Sequence, residues 1–509
     1  MEPGDQARLI VVSNRLPLVL NAREDGGWDA KASSGGLISA LVPVLRRRGG
    51  VWIGWPGTTE ATREEVEPAL AAMSETYGCT FKPVMFSQQE MEGFYFGFSN
   101  EVIWPLFHDL FTNCNFQPDY WKTYQEVNRK FAAAVAEVAR PGDFLWVHDY
   151  HLMDLASELR RMGLPSRAGF FLHTPFPPLE IFLRLPWRFE ILRNLLEFNL
   201  IGFQTLRDRR NFLTCIKVLF NVRVKGTGSV VRVQVPAFGA EPAAMGPGPA
   251  QVAQTVSVGA FPIGIDFHAV AGLAARPEVR AKAQALKNDI RGRQMILGVD
   301  RLDYTKGLPN KLQAFRNALH HYPELHHRVN LVQHVVPSRK EIPDYRQLRL
   351  ELEHLIGQIN GEFTESGWVP IHYMFHNLGA EDLAAYYLAA DIALVTSLKD
   401  GMNLVAKEYC AAQIEQAGVL ILSEFAGAAA QLQRGALLVN PYDIDGVAAA
   451  IERAFTMPDK ERRERMRLLR RTVRTEDVFR WADAFLGATA KGGVAHLTNL
   501  EDYLPSAST

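Results

Sequence analysis

The chain has 509 residues, of which 22% are charged and 47% hydrophobic, a composition typical of a globular protein and not of a disordered or fibrous one. Its 55 basic and 56 acidic side chains leave a formal charge of -1, so no overall field attracts nucleic acid or an anionic membrane. The four cysteines form no close pairs, which excludes a disulfide scaffold and a CxxC zinc site and predicts reduced thiols.

The first residues and the apolar runs of the sequence predict neither a signal peptide nor a membrane span. Glu2 and Asp5 precede the first apolar run, unlike the basic start of a signal peptide. No apolar run approaches the roughly 18 residues that a membrane span requires. The sequence therefore predicts a cytoplasmic protein that binds neither a membrane nor nucleic acid.

Short aliphatic runs recur in both halves of the chain and predict strands. In chain order they are 9–13, 51–55, 144–148, 168–173, 200–204, 295–299, 329–335, 369–374, 392–396, 419–422 and 436–439. Amphipathic stretches such as 308–319 and 380–389 separate them and predict crossover helices. Runs that are apolar on both faces and alternate with helices indicate parallel sheets, so the sequence predicts an α/β fold in each half.

Two further segments have unusual compositions. Residues 225–257 are rich in Gly, Pro and Ala and predict a hairpin with an irregular excursion, more simply a surface insertion than a mobile flap. Residues 459–474 are densely basic and predict a helix with a solvated face. No aromatic residue interleaves these arginines, which disfavours nucleic-acid binding.

Polar residues follow seven of the predicted strands. They are Asn14, Arg15, His148, Asp149, Tyr150, His151, His173, Asp300, Arg301, Ser338, Arg339, Asp400 and Glu424. Ligands of open parallel sheets bind beyond the carboxyl ends of the strands. This distribution predicts a binding cleft between two domains.

The loop 32–37 (ASSGGL) places Gly35 and Gly36 before a predicted helix, where backbone amides can approach a phosphate or a sugar. Taken alone, a plain turn is the simpler explanation of two glycines before a helix. The spaced GxGxxG pattern and the GxxxxGK[ST] pattern are both missing from the chain, which disfavours a dinucleotide-binding enzyme and a P-loop nucleotidase.

Arg301 and Lys306 stand five residues apart in VDRLDYTKG. A planar guanidinium and a compact ammonium group could both bind one anion there, such as a diphosphate. The alternative is a salt bridge from either cation to Asp300 or Asp303. Both interpretations remain open at this stage.

The string DGMNLVAKE at 400–408 sets Asp400 on a glycine turn and exposes the first amides of a helix. Glu408 lies about one turn from the start of that helix, where a carboxylate can accept hydrogen bonds from ribose hydroxyls. The alternative for Glu408 is an ordinary ion pair with Lys407.

A metal site is not expected. Asp443 and Asp445 match the Asp-x-Asp string of metal-dependent sugar-nucleotide transferases, but they precede an alanine-rich helix, and capping of that helix is the favoured interpretation. Four histidines near a helix end are expected at the surface, namely His320, His321, His326 and His327.

Taken together, these strings resemble the trehalose-6-phosphate synthase family of retaining glycosyltransferases over nearly the whole chain. The matching strings are SNRLP at 13–17, SSGGL at 33–37, WIGWPG at 52–57, GFSNEVIWPLFH at 97–108, WVHDYHLM at 146–153, FFLHTPFP at 170–177, GAFPIGID at 259–266, DRLDYTKG at 300–307 and DGMNLVAKEY at 400–409.

The resemblance implies a GT-B fold, with two doubly wound, Rossmann-like domains facing a central cleft. Residues 1–262 would bind the acceptor and residues 263–472 the nucleotide sugar. Residues 473–495 would form a C-terminal helix that crosses back to the first domain.

The resemblance also implies roles for individual residues. Glucose-6-phosphate would meet Arg15, Tyr95, Trp104, Asp149 and Arg339. The donor would meet Gly35, Gly36, Arg301, Lys306, Leu378, Asp400, Leu404, Val405, Ala406, Lys407 and Glu408. His173 would lie beside the transferred glucose, and the catalytic residues would be His173, Arg301, Lys306 and Asp400.

The implied reaction is transfer of glucose from UDP-glucose, or from ADP- or GDP-glucose, to glucose-6-phosphate with retention of configuration. No metal or other cofactor is expected. The resemblance also implies a dimer or tetramer. Two alternatives stay open. The long segment 225–257 resembles that of glucosylglycerol-phosphate synthases, which use glycerol 3-phosphate, although Arg339 argues against them. A non-catalytic regulator that binds sugar phosphates is the other alternative. Such a protein should have lost some of five residues that are all present here, namely Arg15, His173, Arg301, Lys306 and Glu408.

Overall fold

The structure is a computed structural model that describes residues 7–24, 27–32, 36–164, 167–236, 252–339, 342–489 and 502–503. Within these residues the chain divides into two units. The first comprises the described residues of Met1–Pro262 and Trp481–Leu500, and the second comprises those of Ile263–Arg480 and Glu501–Thr509. Each unit is built on a largely parallel sheet, so both halves of the chain are α/β.

The strands of the first unit form a nine-stranded sheet and a separate hairpin. In chain order they are β1 (Leu9–Arg15), β2 (Leu18–Ala22), β3 (Trp28–Ala32), β4 (Val51–Trp55), β5 (Thr80–Pro83), β6 (Phe144–His148), β7 (Arg167–Phe171), β8 (Leu200–Phe203), β9 (Arg223–Lys225), β10 (Val230–Pro236) and β11 (Val252–Ala260). The sheet order is β5-β4-β1-β6-β7-β8-β11-β10-β9, and β2 pairs only with β3 among the described residues. Pairing is parallel from β5 to β11 and antiparallel beyond.

The helices of the first unit connect these strands. They are α1 (Gly36–Arg48), α2 (Arg63–Tyr77), α3 (Gln88–Glu90), α4 (Trp104–Phe107), α5 (Pro118–Val138), α6 (Leu155–Arg161), α7 (Leu179–Phe182), α8 (Arg188–Leu195) and α9 (Leu206–Phe220). A π-helical segment, Met91–Ile103, joins α3 to α4, and short 3-10 turns lie at Phe111–Asn113 and Tyr150–Leu152. Local signals set many of these ends. Thr62 and Glu65, for example, form a capping box at the start of α2.

The second unit has a six-stranded, all-parallel sheet in the order β14-β13-β12-β15-β16-β17. Its strands are β12 (Gln294–Arg301), β13 (Val329–Val336), β14 (Ile371–Phe375), β15 (Ile392–Val395), β16 (Val419–Ser423) and β17 (Leu437–Val439). Its helices are α10 (Phe267–Ala275), α11 (Pro277–Asp289), α12 (Leu308–His321), α13 (Pro343–Phe363), α14 (Ala380–Ala389), α15 (Leu404–Ala412), α16 (Ala429–Leu432), α17 (Ile444–Thr456) and α18 (Asp459–Thr475), followed by α19 (Val478–Gly487). Short 3-10 turns lie at Tyr304–Lys306 and Pro323–Leu325.

Each of the eleven predicted strands corresponds to an observed strand, because continuous aliphatic runs buried on both faces are the clearest pattern of a parallel sheet. The short or polar strands β2, β3, β5 and β9 were not predicted, since their residues lack such a run. The predicted hairpin in 225–257 is present as β10 and β11, which pair antiparallel. The predicted excursion falls largely on residues 237–251, which lie outside the described residues.

The basic helix α18 is not simply solvated. One stripe of it is buried, with Met466, Leu469 and Val473 in the core. Arg462 is 7% exposed, and its guanidinium donates to the carbonyl oxygens of Ala454, at 2.8 Å, and of other residues near the end of α17. The arginine therefore satisfies carbonyl groups that have no partner within α17.

The predicted last helix, 473–495, is divided between two helices in the described residues, and residues 490–495 lie outside them. Residues 473–475 belong to α18, and α19 begins at Val478, whose N–H donates to the Ile265 carbonyl oxygen at 3.1 Å. Trp481 and Phe485 pack on Trp146 of β6, with ring centroids 4.9 Å and 5.0 Å away. This aromatic layer lies beside the carboxyl ends of β6 and β7. None of the helices in the described ranges is long and apolar enough to cross a membrane.

Candidate functional site

The end of β1 positions Arg15. The pairing of β1 with β4 shifts register between Val12 and Arg15, an irregularity that redirects the last residues of the strand. The Ser13 hydroxyl donates to the Arg15 carbonyl oxygen and accepts from the Trp52 indole, each at 2.8 Å. The guanidinium lies 5.3 Å from the centre of the Trp55 ring. This arrangement holds a cation at the edge of the sheet.

Asp149 follows β6 in a strained backbone conformation. Its φ of 74° and ψ of 168° fall in a region that is essentially restricted to glycine and costs about 1–3 kcal/mol. Two hydrogen bonds hold it there, from the Asp149 N–H to the Phe171 carbonyl oxygen at 2.8 Å and from the His173 N–H to Asp149 Oδ1 at 3.2 Å. Strain that is retained in this way is characteristic of functional sites.

His173 is connected to two neighbouring strand ends. Its Nε2 lies 3.0 Å from Nδ1 of His148, and its Nδ1 lies 3.4 Å from Nε2 of Gln204. Burial lowers the pKa of His173 to about 3. Burial, and secondarily the neighbouring His173 ring, lower the pKa of His148 well below its usual value. Both rings are therefore neutral at pH 7.

Tyr95 and Trp104 lie on the π-helical segment and at the start of α4. The Tyr95 ring stacks on His151 at a centroid distance of 6.0 Å, and Trp104 is 7% exposed. Desolvation lowers the pKa of Arg15, and the neighbouring Tyr95 phenol opposes this shift. The first unit thus brings Arg15 and Tyr95 close together, while Asp149 and His173 share a hydrogen bond.

In the second unit, a buried carboxylate is surrounded by cations. Asp303 is 0% exposed and accepts from the Thr305 N–H at 3.0 Å. Burial would raise its pKa, but Arg339, Arg301 and Lys306 together outweigh burial and lower it. Arg339 approaches Asp303 at 3.4 Å and has a φ of 43°, a further left-handed backbone conformation. Three of the predicted site residues therefore converge on one carboxylate.

Lys306 pairs with Asp400 and not with either of the carboxylates considered from the sequence. Its Nζ lies 2.5 Å from Asp400 Oδ2, which also accepts from Asn403 Nδ2 at 3.1 Å. Both side chains of the ion pair are largely buried, with 11% and 13% exposure. Asp300 instead binds Lys311, which sequence reasoning did not single out. The Lys306–Asp400 pair fixes a cation at the start of α15.

The turn before α15 depends on a close backbone approach. Asn403 has a φ of 69°, and its Oδ1 accepts from the Ala406 N–H at 3.1 Å, which caps the helix. The Gly427 N–H donates to the Asp400 carbonyl oxygen at 3.1 Å, and a Cβ at Gly427 would lie 1.9 Å from the Gly401 carbonyl oxygen. Only glycine fits at position 427.

Glu408 is bonded to Tyr387, whose hydroxyl donates to Glu408 Oε2 at 3.0 Å. Burial raises the pKa of Glu408 to about 7, although the Tyr387 hydrogen bond opposes the shift. Lys407 forms no pair with Glu408, contrary to the alternative left open by the sequence. Its buried ammonium donates to the Ile263 carbonyl oxygen and to Gln431 Oε1, both at 2.6 Å.

The remaining predicted donor contacts are mainly backbone positions. Leu404 and Val405 form the first turn of α15, followed by the buried Ala406. Leu378 is half-buried in the loop between β14 and α14. Gly36 begins α1, whereas Gly35 lies outside the described residues.

The residues considered for a metal have other roles. Asp443 caps α17 by accepting from the Gly446 N–H at 2.9 Å, and Asp445 accepts from Asn317 Nδ2 at 2.7 Å. In the described part of the chain, no group of three or more His, Cys, Asp or Glu side chains could hold a metal ion. His320, His321 and His327 are exposed as expected and His326 is half-buried.

Several residues at these sites could not be identified as partners from the sequence. Tyr387 precedes Glu408 by 21 positions, and Gln204 follows His173 by 31 positions. Asn403 was not predicted either, although an asparagine directly before an apolar helix is a recognisable N-cap. His148 was noted at the end of a strand, but not as the partner of His173.

Comparison with known proteins gives consistent similarities. The model of glycosyltransferase family 20 matches residues 7–491. The trehalose-6-phosphate synthase of Mycolicibacterium vanbaalenii is 42% identical over 96% of this chain and 98% of its own length. A UDP-forming synthase from Burkholderia xenovorans, solved with glucose-6-phosphate, has a TM-score of 0.81 at 35% identity, over 95% of this chain and 100% of that one. An E. coli structure with UDP-2-fluoro glucose has a TM-score of 0.80 at 35% identity, over 95% and 99%.

Proposed function

Because the chain belongs to glycosyltransferase family 20, we propose that it is an α,α-trehalose-6-phosphate synthase with a GT-B fold. It transfers glucose from a nucleotide diphosphate glucose, with UDP-glucose as the proposed donor, to glucose-6-phosphate. The observation that carries this proposal is the convergence of Arg301, Lys306 and Arg339 around Asp303 at the carboxyl edge of the second sheet. Such an arrangement suits the phosphates of both substrates.

The donor diphosphate is bound by Arg301 and Lys306. As the bond between the glucose C1 and the diphosphate oxygen breaks, negative charge grows on the leaving group, and these cations stabilise it. Lys306 needs no reorganisation for this task, because Asp400 already holds it at 2.5 Å. The ribose hydroxyls donate to Glu408, which Tyr387 orients.

The acceptor is bound by Arg15, Tyr95, Trp104 and Asp149, with Arg339 contributing to its phosphate. Asp149, when ionised, accepts hydrogen bonds from sugar hydroxyls. The new bond forms between C1 and the acceptor's anomeric oxygen on the face that the diphosphate leaves, and the acceptor proton passes to the leaving diphosphate. The configuration at C1 is retained, and neither a carboxylate nucleophile nor a metal or other cofactor is needed.

The experiment that tests this function measures nucleotide release by the purified protein in EDTA. UDP-, ADP- and GDP-glucose are each paired with glucose-6-phosphate and with glycerol 3-phosphate. Rapid release from UDP-glucose with glucose-6-phosphate is expected. Release only with glycerol 3-phosphate would assign the glucosylglycerol-phosphate synthase activity instead. Release that requires added metal would refute the metal-independent mechanism, and inactivity with all six pairs would favour a regulator.

Two further properties form part of the proposal. A dimer or tetramer is expected from the family resemblance, and sedimentation equilibrium measures it directly. A cytoplasmic location is supported by the four cysteines, which are all free and three of which are buried. Fractionation of cells that express the full chain tests the location.

A further inference from the structure

We propose that His148 is a positioning residue, which holds the His173 ring in a single tautomer so that the His173 main chain can orient Asp149. The effects on kcat and KM rest on the proposed function, whereas the expected tautomers of the two rings do not. The proposal starts from one hydrogen-bonded chain, in which Gln204 contacts His173 at 3.4 Å and His173 contacts His148 at 3.0 Å.

The donors and acceptors in this chain can be assigned from chemistry. The Gln204 Nε2 group can only donate, so His173 Nδ1 must accept. A neutral imidazole carries one proton, which therefore lies on His173 Nε2 and is donated to His148 Nδ1. His148 consequently carries its own proton on Nε2, a buried atom with no hydrogen-bond partner among the described residues.

The surroundings of the pair contain almost no charge. His148 contacts Trp146, Phe171 and Trp481 through its ring, with centroid distances of 4.7, 6.5 and 6.3 Å. His173 packs on Phe171 and Trp481 at 4.7 Å and 6.1 Å. The charged group bonded to the pair is the Asp149 carboxylate, which accepts from the His173 main-chain N–H. An imidazolium in this aromatic setting would be poorly solvated.

The geometry argues against proton transfer by the His173 ring. Both ring nitrogens already have protein partners, so neither is available to take a proton from the acceptor without breaking a buried hydrogen bond. The main chain of His173 is instead held in place by its ring and donates to Asp149 at 3.2 Å. His148 therefore acts on the strained Asp149 through His173.

Three substitutions at His148 separate this role from simple packing. His148→Asn keeps an acceptor near the position of Nδ1, His148→Phe keeps a ring without an acceptor, and His148→Asp replaces the neutral acceptor by a charged one. His326→Phe, in the second unit and outside both groups of site residues, is the matched control. Melting temperatures show whether each variant is folded.

The variants have distinct expected kinetics. His148→Asn should retain kcat within about 3-fold. His148→Phe should lower kcat roughly 10- to 100-fold with little change in either KM, because a misplaced catalytic group mainly affects the transition state. His148→Asp should raise the pKa of His173 and make kcat fall as the pH is lowered, because a protonated Nδ1 would face the Gln204 amide donor. Equal losses in all three variants, or an unchanged His148→Phe enzyme, would overturn the proposal.

A second measurement does not depend on turnover. NMR of the full chain labelled with ¹⁵N-histidine reports the tautomer of each ring, and His148→Asn and Gln204→Leu assign the two signals. Neutral Nε2–H rings are expected from pH 5.5 to 8. An Nδ1–H tautomer of His173, or titration of either ring in this range, would overturn the proposal even if one variant failed to fold. A wild-type protein without transfer activity would refute the proposed function and leave this result interpretable.

Discussion

Replacing Asp154 by Asn should make the first unit more stable at neutral and alkaline pH. Asp154 lies directly before α6, is 0% exposed, and has no hydrogen-bond partner for either carboxylate oxygen among the described residues. Its pKa is raised from 3.8 to about 7, chiefly by burial and secondarily by the nearby Glu158, and Arg161 and Arg129 only partly oppose this shift. The folded protein therefore holds a proton on Asp154 that the unfolded chain releases.

The direction and the size of the pH-dependent change in stability follow from this pKa. Because the folded pKa is raised, the contribution of Asp154 to stability is complete below about pH 4, falls as pH rises toward 7, and stays low above that. A shift from 3.8 to about 7 corresponds to roughly 4 kcal/mol at 1.36 kcal/mol per unit. Relative to the wild type, the free energy of unfolding of Asp154→Asn should rise by up to roughly 4 kcal/mol between pH 4 and pH 8.

Hydrogen exchange in peptides from α5 and α6 measures the free energy of opening in this region at each pH. The control is Asp119→Asn on α5, which makes the same change in charge at a side chain that is 86% exposed. The curves for the wild type and for Asp119→Asn should run parallel, while Asp154→Asn diverges upward with pH. Parallel curves for all three proteins would refute the assignment of a raised pKa to Asp154.

Three further predictions concern the proposed active site and its metal independence. Lys306→Ala should lower kcat by roughly 100-fold or more, because it removes a charge that stabilises the leaving diphosphate, whereas Arg339→Ala should chiefly raise the KM for glucose-6-phosphate. Tyr387→Phe should raise the donor KM roughly 5- to 10-fold. It should also move the acid rise in donor KM to higher pH, because the lost hydrogen bond opposes the burial that raises the pKa of Glu408 to about 7. Asp443→Ala should cost about 1 kcal/mol by removing the cap of α17 and leave activity in EDTA unchanged.

Steady-state kinetics with each substrate varied in turn measure the first two outcomes, and thermal melting with an activity assay measures the third. Identical kinetic profiles for Lys306→Ala and Arg339→Ala would contradict the assignment of one to the donor and the other to the acceptor. A pH-independent donor KM would contradict an ionised Glu408 as the ribose ligand. Loss of activity in a folded Asp443→Ala protein would reopen the question of a metal at that position.

The sequence by itself determined the α/β class and the position of the main strands. Runs such as those of β4 and β6 are apolar throughout because both faces of a parallel sheet are covered, and this pattern is local. The family motifs likewise named residues such as Arg301 and Asp400, because a motif records residue types at fixed spacing.

Tertiary structure alone decided which of these residues touch. Lys306 pairs with Asp400, 94 positions away, and not with Asp303, three positions away, because the ends of β12 and β15 come together at one edge of the sheet. The same holds for Tyr387 with Glu408. Hydrogen bonds between distant segments depend on how strands are ordered in the sheet, and no short pattern in the chain encodes that order. The charge on a buried group follows in turn from those partners and from burial, and both exist only in the folded protein.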